Sequence, residues 1–153
     1  MDNIENMCLG ELASVFYRQY QAYINREMKD YGINFSECEF LIKIPNSDEI
    51  IQRELAESLI CDNAIVTRSL QKLEKKELIK RINSTEDKRA ILVSLTDRGR
   101  DIKKIGLEKR RFWKNSIMED VPEEEKQLVF QFFKAMVNKA LIVNSNFGGE
   151  KDE

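Results

Sequence analysis

Within residues 62–96, DNAIVTRSLQKLEKKELIKRINSTEDKRAILVSLT, the hydrophobic period changes from that of a helix to that of a strand, and few small folds accommodate the change. Over 63–76, Val66, Leu70 and Leu73 recur at +4 and +3 and share one face of a helix, with Asp62 at the N-cap position. The opposite face presents Asn63 and Ala64 at its leading end, then Thr67, Arg68, Gln71, Lys72 and Lys75. It is polar and cationic. Two β-rich runs follow, 78–82 and 90–95, with Ile91, Val93 and Leu95 alternating to one side. Between them lies the charged segment 83–89, including Asp87, Lys88 and Arg89.

A basic helix followed directly by a hairpin is the layout of a winged helix, in which the helix enters a major groove and the hairpin tip reaches the backbone or the adjacent minor groove. Arg and Gln bond base edges in pairs, Thr bonds a base or a phosphate, and Lys neutralises phosphate. Arg89 is the candidate inserting side chain, with Asp87 expected to hold its guanidinium through a bidentate pair. An ordinary solvated helix face would carry similar residues, so the charge distribution has to decide. Residues 1–62 hold 5 Lys/Arg against 12 Asp/Glu, 63–100 hold 10 against 5, and 101–153 hold 10 against 10. The net charge of −2 therefore conceals a positive segment that coincides with the helix and hairpin, and local potential governs electrostatic binding.

The flanking sequence supplies helices. Ile4, Met7, Cys8, Leu12, Val15, Phe16, Tyr20, Tyr23, Ile24 and Met28 form a stripe over residues 4–30, ended by Tyr31 and Gly32. Asn34 and Glu37 make a near capping box for a helix through residue 44, with Phe35, Phe40, Leu41 and Ile44 inward. Ile51, Leu55 and Leu59 repeat at +4 over 49–60, giving the first helix of a helix-turn-helix. Thr96 caps a long helix to about residue 118, whose Arg98 and Arg100 lie close to the hairpin, and Pro122 with three glutamates opens a last helix. That helix carries Leu128, Val129, Phe132, Phe133, Met136, Val137, Ala140 and Leu141, an apolar band that favours burial between two subunits, together with the N-terminal helix. The expected fold is mainly α: a single domain over 1–153, with a winged helix-turn-helix core at 34–96, a small β-hairpin wing, and dimerisation helices at 1–31 and 97–146. FGGEKDE at the end reads as a frayed tail.

Other chemistries find little support. The chain has no histidine, and its three cysteines are widely spaced, which argues against a zinc site of the Cys/His kind, a disulfide framework and His-based catalysis. There is no Gly-rich phosphate loop. An enzymatic role and a cofactor are not expected. No apolar run approaches the roughly 20 residues that span a bilayer, and MDNIENMCLGEL lacks signal-peptide order, so a cytoplasmic protein is expected.

QRELAESL (52–59), DNAIVTRSLQKLEKKELIKR (62–81) and EDKRAILVSLTDRGR (86–100) together resemble the MarR family of bacterial transcription regulators. The resemblance includes that family's Asp-x-Arg wing at Asp87 and Arg89, and its Leu-Thr-x-x-Gly helix opening at Leu95, Thr96 and Gly99. It implies a homodimer on double-stranded DNA that reads a pseudo-palindrome and is released by a small aromatic or phenolic effector. Two positions depart from the family pattern. Glu77 stands where Gly usually follows the reading helix, and Ile51 stands where Thr often caps the first helix, leaving Asp48 as the candidate cap. Tyr20, Phe40 and Trp113 lie near the expected effector pocket, although such aromatics are more often core. Two further readings stay open: redox sensing through Cys8 on this scaffold, and a winged helix used for protein contact only.

Overall fold

The computed structural model describes residues 4–87 and 89–148. The chain divides into two compact units, Met1–Trp113 and Lys114–Glu153, and the boundary falls inside a single helix. No described helix is long and apolar enough to cross a membrane.

The first unit opens with α1 (Leu9–Met28), which begins later than the Ile4 start expected. Cys8 has extended backbone (φ −70°, ψ 165°), and its N–H donates to the Glu11 carboxylate at 2.7 Å, so the helix is capped there and cannot wind back toward Ile4. Cys8 is consequently exposed and not on a buried stripe. A short 3-10 turn (Lys29–Tyr31) ends at Gly32, whose φ of 68° is the left-handed conformation that glycine adopts at least cost. α2 (Phe35–Lys43) starts with a complete capping box: Asn34 accepts the Glu37 N–H at 2.9 Å, and Glu37 accepts the Asn34 N–H at 3.0 Å. Its Phe35, Cys38, Phe40 and Leu41 are buried.

Residues 49–51 do not continue a helix as expected. Ile50–Ile51 is a short strand, β1, and α3 (Gln52–Leu59) begins after it. Ile51 occupies the N-cap position without a side-chain bond, and Asp48 does not cap the helix. The strand is favoured because β1 pairs antiparallel with β3, Ile50 opposite Val93 and Ile51 opposite Leu92, which satisfies backbone groups in the ladder. α4 (Asn63–Lys75), β2 (Ile79–Asn83) and β3 (Ile91–Leu95) follow, with β3 central in a three-stranded sheet. Leu55, Val66, Leu70, Leu73, Leu78 and Val93 meet Ile24, Met28 and Leu41 in one core.

Both α3 and α4 end in the paired bond pattern of a Schellman motif. Cys61 N–H reaches Ala56 O at 3.3 Å and Ile60 N–H reaches Glu57 O at 3.1 Å; Leu78 N–H reaches Leu73 O at 3.0 Å and Glu77 N–H reaches Glu74 O at 2.9 Å. The left-handed position is filled by Ile60 (φ 50°) in the first motif and Glu77 (φ 58°) in the second, where glycine would be least strained. At Glu77 the strain is held by α5 (Asp97–Ile117). The Thr96 hydroxyl donates to Glu77 O at 2.8 Å and accepts the Gly99 N–H at 3.0 Å, while the Thr96 N–H donates to Leu78 O at 3.1 Å. Thr96 thus caps α5 and fastens it to the turn between α4 and β2.

The second unit holds the last turn of α5, then α6 (Glu123–Gly148), with Pro122 immediately before the helix. Leu128, Val129, Phe132, Phe133, Met136, Val137 and Leu141 are each at least 40% exposed in the single chain. The tail sequence FGGEKDE lies mostly outside the described residues.

Candidate nucleic-acid interface

Asp62 accepts the Ala64 N–H at 2.9 Å and starts α4, whose Val66, Leu70 and Leu73 are fully buried. That burial sets which face of the helix is inward and leaves Asn63, Ala64, Arg68, Gln71, Lys72 and Lys75 on the outward side, all exposed. Arg68 leans back along the helix, its Nε donating to Ala64 O at 3.2 Å, so its guanidinium lies over the leading end. Ile65, which the charge pattern does not single out, is also 44% exposed, one turn before Arg68.

Thr67 is placed differently. It is half-buried, and its hydroxyl both donates to Asn63 O at 2.9 Å and accepts from Gln52 Nε2 at 3.0 Å. Lys76, at the end of α4, turns inward, with Nζ 2.7 Å from both Glu37 carboxylate oxygens and 2.7 Å from Gly32 O. This pair ties the last turn of the helix to the capping box of α2.

At the hairpin tip, Ser84 Oγ accepts the N–H groups of Glu86 and Asp87 at 3.2 and 3.3 Å, and Asp87 Oδ1 accepts the Arg89 N–H at 2.9 Å. Asp87 therefore shapes the backbone of the tip. The ion pairs among the described residues do not join it to the Arg89 guanidinium, which corrects the bidentate pair expected between them. A short carboxylate side chain two residues upstream reaches the amide more directly than it reaches the end of a long, solvated arginine. Arg89 is exposed. Lys88 lies outside the described residues. Arg98 and Arg100 serve the fold: Arg98 donates to Lys76 O at 3.4 Å, and Arg100 donates to Asn46 O and Leu95 O at 3.3 and 2.9 Å and pairs with Asp97.

Two residues of this region have no sequence signal of their own. Arg81 on β2 donates to Gln52 Oε1 at 3.1 Å and lies 3.5 Å from Glu74. Gln52 opens α3 and passes the contact on to Thr67. Apart from this region, an aromatic cluster forms where Tyr20 packs on Phe35 and Trp113, at ring separations of 5.3 and 5.9 Å. The Tyr20 hydroxyl donates to Glu39 at 3.0 Å, and burial, aided by Glu39, pushes its phenol well above the ordinary range. Burial likewise pushes the Cys38 thiol up to about 12.

Residues 33–91 match the model of the MarR family. Over 106 residues the chain is 30% identical to the HTH-type transcriptional regulator SarZ of Staphylococcus epidermidis, an alignment that covers 67% of this chain and 72% of SarZ. The chain belongs to the MarR family. A second relative is the uncharacterized HTH-type transcriptional regulator YdgJ of Bacillus subtilis, 39% identical over 108 residues; the match takes in 70% of this chain and 65% of YdgJ. Among solved structures, the complex of Staphylococcus aureus MepR with DNA has the same fold, with a TM-score of 0.84 at 18% identity, covering 88% of this chain and 99% of MepR.

Proposed function

We propose that this MarR-family chain is a sequence-specific, ligand-responsive repressor that binds a pseudo-palindromic DNA operator as a homodimer. The observation that carries the reading is the outward face of α4, where Asn63, Arg68, Gln71, Lys72 and Lys75 stand exposed over a fully buried apolar stripe. Arg68 and Gln71 suit base edges in a major groove, Lys72 and Lys75 suit phosphates, and the exposed Arg89 suits the adjacent minor groove. MepR, which shares the fold, was solved on DNA. The apolar residues of α6, exposed in one chain, support a second copy as partner. An effector that prefers a dimer with its two reading helices wrongly spaced weakens DNA binding by the same factor that DNA weakens effector binding.

Gel-shift titration against the chain's own upstream DNA tests this reading. Affinity should fall steeply with salt as counterions are released, and Arg68→Ala should cost about 1–3 kcal/mol and relax base preference. Equal affinity for all duplexes at every salt concentration would overturn it.

A second reading gains from the position of Cys8, which is exposed at the start of α1. If that thiol senses oxidants, peroxide should abolish DNA binding in the wild type and leave Cys8→Ser unaffected. Unchanged binding after peroxide ends that reading.

A further inference from the structure

Glu74, Arg81, Gln52 and Thr67 form a chain of contacts that starts and finishes on the reading helix. Arg81 Nη1 lies 3.5 Å from Glu74 Oε2, Arg81 Nη2 donates to Gln52 Oε1 at 3.1 Å, Gln52 Nε2 donates to Thr67 Oγ1 at 3.0 Å, and Thr67 donates to Asn63 O at 2.9 Å. Thr67 and Glu74 are seven residues apart, two helical turns, so α4 is gripped at two points about 10 Å apart along one side. The grip comes from the wing strand β2 and from the first residue of α3. Arg81 stands opposite Val93 in the middle of the hairpin, and its side chain is only 13% exposed. Its Nε is buried without a protein partner, so the guanidinium fork is oriented to serve Gln52 and Glu74 at the expense of one donor.

From this we infer that Arg81, through Gln52, is a positioning residue that sets the roll of the reading helix relative to the wing, and so sets base preference without touching DNA. The inference rests on the DNA-reading role proposed above. Core burial alone restrains roll loosely, because aliphatic contacts are non-directional, whereas the hydrogen bond at Thr67 is directional and the ion pair at Glu74 adds a second point of restraint. At a side-chain radius of about 5–6 Å, a roll of roughly 15° displaces groups on the outer face by about 1.5 Å. A hydrogen bond tolerates about 0.5 Å, so a paired contact from Arg68 to a base would be lost. Contacts from Lys72 and Lys75 to phosphate would survive, since a flexible ammonium reaches a point charge from many positions. Thr67, with its hydroxyl satisfied on both sides, belongs to the grip and not to the base-reading set.

The test compares the full-length wild type, Arg81→Met, Gln52→Leu and the double variant on two duplexes: one enriched by the wild type from a randomised library, and a shuffled duplex of the same composition. Each is titrated over a salt series, and each protein is melted to confirm folding. The expected result is a loss of about tenfold in the preference for the enriched duplex, with the salt slope unchanged, and a double variant no worse than the more impaired single. A salt slope shallower by about one, with equal losses on both duplexes, would make Arg81 a phosphate contact and overturn the inference. So would a lowered melting temperature with the preference intact. If Arg81→Met does not fold, Gln52→Leu decides alone, because it cuts the same chain at a residue outside the outward face of α4. A wild type that enriches no duplex removes the DNA-reading role itself, and the inference with it.

Discussion

Gly99→Ala offers the sharpest test of how α4 is joined to the wing. Gly99 lies in the first turn of α5, where alanine would ordinarily stabilise a helix by about 1 kcal/mol. Here a Cβ would stand 1.9 Å from Leu78 O, 3.0 Å from Leu78 C and 3.4 Å from Leu95 Cδ2. A carbon sits about 3.3 Å from a carbonyl oxygen at closest comfortable approach, so α5 and the turn before β2 must part by more than 1 Å. The obstacle is backbone and cannot rotate away. The same oxygen accepts the Thr96 N–H at 3.1 Å, so parting also strains the bond that fastens α5 to the turn. Overpacking of about 1–3 kcal/mol plus about 1 kcal/mol for that bond, less the propensity gain of about 1 kcal/mol, leaves a net cost of about 1–3 kcal/mol. With an m value of about 2 kcal/mol/M in urea, the unfolding midpoint should fall by roughly 1 M at constant m. Urea denaturation followed by circular dichroism reads this directly. A variant as stable as the wild type would refute the argument, because propensity would then have outweighed the close approach.

Three further outcomes follow from particular residues. Glu77→Gly relieves a left-handed backbone strained by about 1–2 kcal/mol and gives back about half of that as unfolded-state entropy, so a gain of about 0.5–1 kcal/mol in thermal melts is expected; a loss would show that the Glu77 side chain does more than occupy the turn. Lys76→Met leaves the Glu37 carboxylate, only 3% exposed, without its cation and should cost about 2 kcal/mol, partly recovered by Glu37→Gln in the double variant; additive losses in denaturation experiments would contradict the pairing. Because burial pushes the Cys38 thiol up to about 12, an alkylating reagent at pH 8 should label Cys8 in the native protein and spare Cys38 until unfolding, with mass spectrometry of the peptides as readout; rapid native labelling of Cys38 would contradict its burial.

Helix α4 was legible because its apolar stripe, Val66, Leu70 and Leu73, is also its burial pattern, and because Asp62 is a strong local cap. The capping box of Asn34 and Glu37 and the cap at Thr96 were legible for the same reason: each is settled within four residues of sequence. Less was legible where partners are distant. Ile51 continues a helical period in the sequence, yet it and Ile50 pair with β3 some forty residues away. Cys8 fits the stripe of α1, but a cap bond to Glu11 makes it the N-cap, and the helix starts just after it. Asp87 and Arg89 have the charges of an ion pair, and the tip geometry gives Asp87 the nearer amide instead.

Sequence by itself determined the helices, the hairpin, the outward cationic face and the family, because these depend on periodicity and on charge within a short window. Only the tertiary structure decided which polar residues bond to one another. Thr67, Gln52, Arg81 and Glu74 are indistinguishable from surface residues in the sequence, and Lys76 is one more cation in a cationic helix. Their roles arise from side-chain pairs separated by 7 to 39 positions of chain, between Arg81 and Glu74 at one extreme and Lys76 and Glu37 at the other. A hydrogen bond at that separation depends on where the packed core delivers each backbone, and no local pattern encodes it.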